Sequence, residues 1–401
     1  MESLRELYRI GRGPSSSHTM GPSHAAVLFR QEFPQADRFH ATLYGSLAKT
    51  GRGHLTDVAI RDAFAPLPTE IVFDTETPEE SLPHPNTLVL QAFQQERPLG
   101  QWRVFSVGGG KIQIEGQPAV APQDVYPLST FREIKEYCGR NGKFLWQFVE
   151  ENEGPEIWDY LRDVWKQMKA TVYAGLNTEG VLHGGLGVQR KAKYLVRQRH
   201  MDESPETREN RKVCAYAFAV SEENAGGGVV VTAPTCGASG VLRRCWSLSR
   251  SSWASPTGIC STPWRRRALW ETSSKPTLHL RGGVRLPGRG GQRLLHGGGG
   301  PGGAVPHGPG PDRVRGRGGH GAPPGPDLRP HRRPGADPLH RTQRRSSGTC
   351  LDANIYATLS DGSHLVSYDK VVEVMNETGH NLPSLYRETS EGGLAKRYER
   401  K

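Results

Sequence analysis

Between two Gly-Pro pairs, Gly13-Pro14 and Gly21-Pro22, the chain places Ser15, Ser16, Ser17, His18 and Thr19 in consecutive positions. Hydroxyls at that density can grip a carboxylate or an alcohol, and an imidazole among them can exchange a proton near neutral pH. The plainer alternative is a serine-rich linker with a stray histidine, but prolines that fix φ on both sides argue for a shaped loop. A second candidate runs from Ser221 to Gly240, where Gly226-Gly227-Gly228 leads into Val229-Val230-Val231 and then Thr232-Ala233-Pro234-Thr235-Cys236. Exposed amides in such a loop can hold an anion. The loop has neither the dinucleotide nor the Walker spacing, and a turn followed by a core strand explains it equally well.

The elements that must position these loops divide the chain in two. Residues 39–46 roughly alternate and end in Gly-Ser, and short β-branched or aromatic runs recur at 71–73, 87–90, 102–105 and 112–114, with Gly108-Gly109-Gly110 as a turn. Helical spacing over 50–64 puts Leu55, Val58, Ala59 and Ala63 on one side. Residues 1–145 thus predict an α/β domain with a mixed or antiparallel sheet. After Pro127 the period becomes helical: Thr130 and Glu133 form a capping box, Asn141-Gly142 ends that helix, and a second covers Phe144 to Val149. A third, opening at Pro155, carries the stripe Ile157, Leu161, Trp165 and Met168. These apolar stripes are core faces. The second domain, 150–401, is expected to be mainly α-helical.

The formal net charge of +11 would suggest a nucleic-acid partner if it were spread along the chain. It is concentrated instead: Arg243 to Thr349 carries +16 and the remainder −5. Residues 281–345 hold 19 Gly, 11 Pro and 13 Arg, with no Lys, Glu, Phe, Tyr or Trp. Burial from such a composition cannot offset a backbone ordering cost of roughly 1–2 kcal/mol per residue, so the segment is expected to be unstructured. Arg-Gly clusters can bind RNA, yet the segment has no aromatic on which a base could stack. The reading preferred here is a GC-rich coding stretch translated in a shifted frame. There is no apolar run of 18 residues and no basic-then-apolar leader, so neither a membrane span nor export is expected. The six Cys are sparse and irregular, which fits a reducing, cytoplasmic setting.

The motifs carry a resemblance. Ser15 to Pro22, Gly45-Ser46-Leu47-Ala48, Gly51-Arg52-Gly53-His54, His84-Pro85-Asn86-Thr87, Ser106 to Gly110, Asn177 to Gly180, Glu222-Glu223-Asn224 and Thr232 to Thr235 stand in the order found in iron-sulfur L-serine dehydratases. So does the tail, Leu351 to Tyr356 through Glu388 to Ala395. The chain resembles the single-chain bacterial form of that family over 5–242 and 351–396. The resemblance implies L-serine as a small-molecule substrate and its β-elimination to pyruvate and ammonia. It implies His18, Ser16, Ser17 and Thr19 at the substrate, with His84, Asn86, Thr232 and Thr235 as further candidates, and leaves open whether His18 is a base or a carboxylate clamp. It places no membrane or nucleic acid among the partners, and a homodimer stays open.

The resemblance also implies a [4Fe-4S] cluster, held by three cysteines, whose open iron takes the serine hydroxyl as a Lewis acid. Those cysteines are expected in Gly-Cys-Gln-Gly-Glu, Thr-Cys-Asp-Pro and Pro-Cys-(Ile/Val)-Glu-Arg-Asn, and none of the three motifs is present. Cys138, Cys214, Cys236, Cys245, Cys260 and Cys350 are followed by Gly139, Ala215, Gly237, Trp246, Ser261 and Leu351. Cluster ligands are therefore not identifiable, the cofactor is expected to be lost, and activity is in doubt. With the intervening segment aberrant, the helical domain is expected to lose packing. The alternatives are an RNA-binding protein using 281–345, or an α/β ligand-binding or dimerisation module surviving alone.

Overall fold

The computed structural model describes residues 1–118, 124–183, 187–198, 203–232, 236 and 366–381, so the segment 243–349 lies outside the described residues. Its first unit is a five-stranded sheet of order β3-β2-β4-β5-β6, from β2 (Arg38–Leu43), β3 (Thr69–Phe73), β4 (Thr87–Gln94), β5 (Arg97–Gly108) and β6 (Lys111–Ile114). β2 and β3 run parallel and every other pair antiparallel, so the sheet is mixed as expected. Alternation in β2 sends Phe39, Ala41 and Leu43 inward and leaves His40 and Thr42 on the other face. On the inward face lie α2 (Gly21–Glu32) and α4 (Thr56–Phe64), which bury Ala25, Ala26, Phe29, Ile60 and Phe64. Phe39 stacks on Phe64 at 4.0 Å between ring centres.

The helix expected over 50–64 is two pieces. α3 (Gly45–Thr50) ends at Gly51, a 3₁₀ turn takes Arg52–His54, and α4 begins only after Leu55. Leu55 is in the left-handed region at φ 54°, which breaks the helical ladder at the residue that was to open the apolar stripe.

The described helices of the second unit are α5 (Phe131–Arg140), α6 (Leu145–Glu153), α7 (Ile157–Asn177), α8 (Ala192–Arg197), α9 (Pro205–Ala225) and α10 (Tyr368–His380). The capping box of Thr130 and Glu133 opens α5, while α7 starts two residues after Pro155. Among the described residues α5, α6, α7 and α10 share one core, while α8 and α9 pack with the end of α7 in another. Phe131, Ile134, Phe148, Leu161, Val164 and Met168 are buried with Tyr368 and Val372 of α10. Asp369 of α10 accepts from the Phe131 and Arg132 amides at 2.8 and 3.0 Å, closing the positive end of α5.

One ladder joins the two units. β1 (Ile10–Arg12) pairs antiparallel with β7 (Val229–Val231), Gly11 opposite Val230. Gly13 N–H extends it to Gly228 O at 2.9 Å, and Thr232 N–H to Arg9 O at 2.9 Å. The short helix α1 (Leu4–Leu7), capped by Ser3, packs into the helical core through Leu4 and Leu7.

Candidate active site around His18

Ser15 to Met20 form one wide turn rather than an open loop. Ser15 O accepts from both the Thr19 and Met20 amides, at 3.0 and 3.1 Å, so the ladder is locally π-helical. Such single turns recur at functional sites. The sequence dictates the turn from both ends. Ser15 caps it, its Oγ accepting the His18 amide at 3.1 Å, and Pro22 sits in the first turn of α2, where no amide partner is needed.

Inside the turn His18 is 1% exposed, and hydroxyls meet both ring nitrogens. Nδ1 lies 3.1 Å from Ser17 Oγ and 3.4 Å from Ser15 Oγ, and Nε2 lies 2.9 Å from Ser46 Oγ. The His54 ring stands beside it, 4.6 Å between centres. The main chain of the turn is fixed as firmly: Thr56 Oγ1 donates to His18 O at 2.6 Å, Ser106 Oγ to Ser17 O at 2.6 Å, and Thr19 Oγ1 to His54 O at 2.7 Å. Ser46, Thr56 and Ser106 are essentially buried, a cost recovered only because each is hydrogen-bonded.

Gly45 brings the separate motifs together. Its φ of 52° suits glycine, and a Cβ there would lie 2.5 Å from Pro85 O, to which Ser46 N–H donates at 2.8 Å. His84 and Asn86 follow directly. The Asn86 amide donates to His84 Nδ1 at 3.0 Å, so the neutral ring carries its proton on Nε2. Burial lowers the His84 pKa below its ordinary 6.5. His84 Nε2 and Asn86 Oδ1 are both buried with no partner among the described residues, while Asn86 Nδ2 donates to Ser106 O at 3.4 Å. A donor and an acceptor thus stand ready for polar groups that the described residues do not supply.

Of the expected site residues, Ser16, Ser17, His18 and Thr19 share the turn, and His84 and Asn86 join it through Ser46 and Ser106. Thr232 is placed differently: its hydroxyl donates to Leu7 O at 2.9 Å and accepts from the Arg9 amide at 2.9 Å, stitching β7 to the segment after α1. Thr235 lies outside the described residues. Ser15 entered only as part of the candidate loop, and Ser46, His54, Thr56 and Ser106 were not among the candidates. All but Thr56 lie in the motifs quoted above, and a buried hydroxyl at the start of a helix or end of a strand was the available signal.

The described thiols do not form a cluster site. Cys138 lies in the helical core, where burial pushes its thiol up to about 11. Cys214 lies on α9, and Cys236 Sγ packs 3.6 Å from Met20 Sδ at the far end of the His18 turn. No three potential metal ligands converge among the described residues. Cys245, Cys260 and Cys350 lie outside them. The described residues therefore do not fit a [4Fe-4S] cluster, which needs several converging thiolates.

The buried imidazole of His18, set among hydroxyls, is thus linked through Ser46 and Ser106 to the segment that carries His84 and Asn86. Comparison with known proteins identifies the family. Residues 3–65 match the serine dehydratase beta chain family and residues 85–252 the serine dehydratase alpha chain family. An L-serine dehydratase of Mycobacterium tuberculosis is 30% identical over 464 residues, with 98% of this chain and 97% of that protein covered. One from Streptomyces coelicolor is 29% identical over 448 residues, 98% of each chain. For the L-serine dehydratase of Haemophilus influenzae the identity is 34% over 294 residues, and the match spans 60% of this chain and 65% of that protein. The chain belongs to the serine dehydratase family. Its beta-chain and alpha-chain regions meet at two ladders, β2–β4 within the sheet and β1–β7. Neither the described residues nor these families point to RNA, and no described helix is long and apolar enough to cross a membrane.

Proposed function

We propose that this chain is an L-serine dehydratase in fold and substrate, built to hold L-serine for β-elimination to pyruvate and ammonia, and that it lacks the family's [4Fe-4S] cluster. The observation that carries the reading is the pairing of His18, caged by Ser15, Ser17 and Ser46, with the unpartnered His84 Nε2–H and Asn86 Oδ1. L-serine offers a carboxylate, an ammonium and a hydroxyl. The His84 Nε2–H donates to an oxygen of the amino acid, and the ring stays neutral at pH 7 because burial disfavours its charge. Asn86 Oδ1 accepts from the ammonium. His18, with hydroxyls on both nitrogens, holds or moves the proton of the substrate's α-carbon or clamps its carboxylate.

Elimination also needs an electrophile for the hydroxide leaving group, and the described thiols do not fit the cluster that supplies one in this family. The expected result is an L-serine complex without pyruvate formation. Isothermal titration of the full chain with L-serine should show saturable binding that is lost in His84→Ala. Anaerobic incubation with iron and sulfide should give neither a brown chromophore nor pyruvate. A coloured, pyruvate-forming protein would overturn the cofactor half of the proposal, and failure to bind L-serine the substrate half.

A further inference from the structure

The alpha-chain region meets the turn itself through Ser106, and the dipeptide that leads into it through Asn224, near the end of α9. Its Nδ2 donates to Pro14 O at 3.1 Å, and its Oδ1 is buried with no partner among the described residues. Gly13 lies against the same residue: a Cβ there would collide with Asn224 Oδ1 and stand 2.5 Å from Asn224 O. Gly13 N–H is held by Gly228 O, so the dipeptide leading into the turn is gripped from both sides by the segment 224–228. Pro14 is followed by Ser15, the cap whose Oγ accepts the His18 amide and approaches His18 Nδ1. Tilting the Pro14 carbonyl therefore rotates the cap and, through it, the imidazole. One turn back on the same side of α9, Ser221 Oγ is also buried and unpartnered, so this face of the helix places polar atoms where packing alone does not require them.

We infer that Asn224 is a positioning residue of the candidate active site: from the alpha-chain region it sets the orientation of Ser15, and hence of His18, through the Pro14 carbonyl. The inference rests on the L-serine-binding reading above for its function, though its geometry does not. Asn224 does not touch the imidazole. Its contribution is transmitted over three residues of main chain that Gly13 leaves no room to relax.

The test uses the full chain with ¹⁵N-labelled histidine. The His18 ring signals are assigned by their loss in His18→Gln, and L-serine binding is followed by titration calorimetry. In Asn224→Ala, and in the nearly isosteric Asn224→Asp, which replaces the donor with an oxygen facing Pro14 O, the His18 ring signals should shift and L-serine affinity should fall roughly tenfold. Hydrogen exchange of β4 and β5 should match the unsubstituted chain, a readout that a general loss of folding would move. Unchanged His18 signals and affinity within twofold in both variants overturn the inference. So does unfolding of both variants, because Asn224 would then be a fold contact. If the unsubstituted chain binds no L-serine, the substrate reading fails, and the His18 signals alone decide the role of Asn224.

Discussion

Gly21 opens α2 in ordinary right-handed helical geometry, so an alanine there should help: Gly→Ala in a helix contributes about 0.5–1 kcal/mol of stability. The structure predicts the opposite sign. A Cβ on Gly21 would collide with Ser106 Oγ and stand 3.1 Å from Ser106 Cβ. That hydroxyl donates to Ser17 O at 2.6 Å in a buried setting, so displacing it leaves a buried carbonyl unpaired. The loss is about 1–3 kcal/mol, with a further 1–3 kcal/mol for overpacking. After the helix gain is subtracted, Gly21→Ala should destabilise by roughly 1–5 kcal/mol. In a Ser106→Ala background the obstructing oxygen is gone, the Ser17 carbonyl is already unpaired, and the same change should cost no more than about 1 kcal/mol. Urea unfolding of the four proteins, followed by tryptophan fluorescence, yields the coupling directly. Additive effects, or a stabilising Gly21→Ala in the unsubstituted chain, would show that α2 and β5 do not meet as described.

Burial holds both His24 and His84 below their ordinary 6.5, Arg9 adding to the effect at His24. The unfolded chain then binds protons that the folded chain refuses, so stability is full above about pH 6.5 and declines as pH falls below it. Unfolding series between pH 8 and 5 should show this decline, and it should be shallower in His84→Gln; a parallel profile would discount His84. Glu222 is wholly buried and accepts from the Lys191 and Ala192 amides at 2.7 and 3.3 Å. Glu222→Ala should cost roughly 1.5–3 kcal/mol and Glu222→Gln distinctly less, with amide exchange accelerated at 191–192. Unaltered exchange there would mean that α8 needs no such cap. Gly175 lets α7 approach α9, since a Cβ would lie 2.6 Å from the Ala219 carbonyl carbon. Gly175→Ala should therefore cost about 1–3 kcal/mol and lower the melting midpoint, whereas an equal midpoint would contradict the close approach.

What could be read in the sequence followed the strength of local periodicity. β2 alternates cleanly because one face of the sheet is covered by α2 and α4, and the capping box of α5 is a purely local signal. Leu55 misled because its spacing suits a helix while its backbone interrupts one. α9 was not anticipated: Val213, Ala215, Ala217, Ala219 and Val220 are all buried, which blurs any single apolar face. The Ser15–Met20 turn was legible as chemistry but not as shape, because it is held by Thr56 and Ser106, far away in sequence. Thr232 shows the converse. Its place in a motif did not reveal that its hydroxyl serves the main chain around β1.

The pairing of β1 with β7 has a consequence for any attempt to divide this protein. Severing the chain at 66–84, between the two family regions, would strip the amino-terminal piece of β7 as partner of β1 and of β4 as partner of β2, leaving raw N–H and C=O groups along residues 10–12 and 38–43 and nothing to brace Pro14. Such edges invite unwanted association. The same exposed ladder would be the natural means of reunion: two co-produced halves have a built-in recognition element, and the amino-terminal piece alone should be the stickier for lacking it.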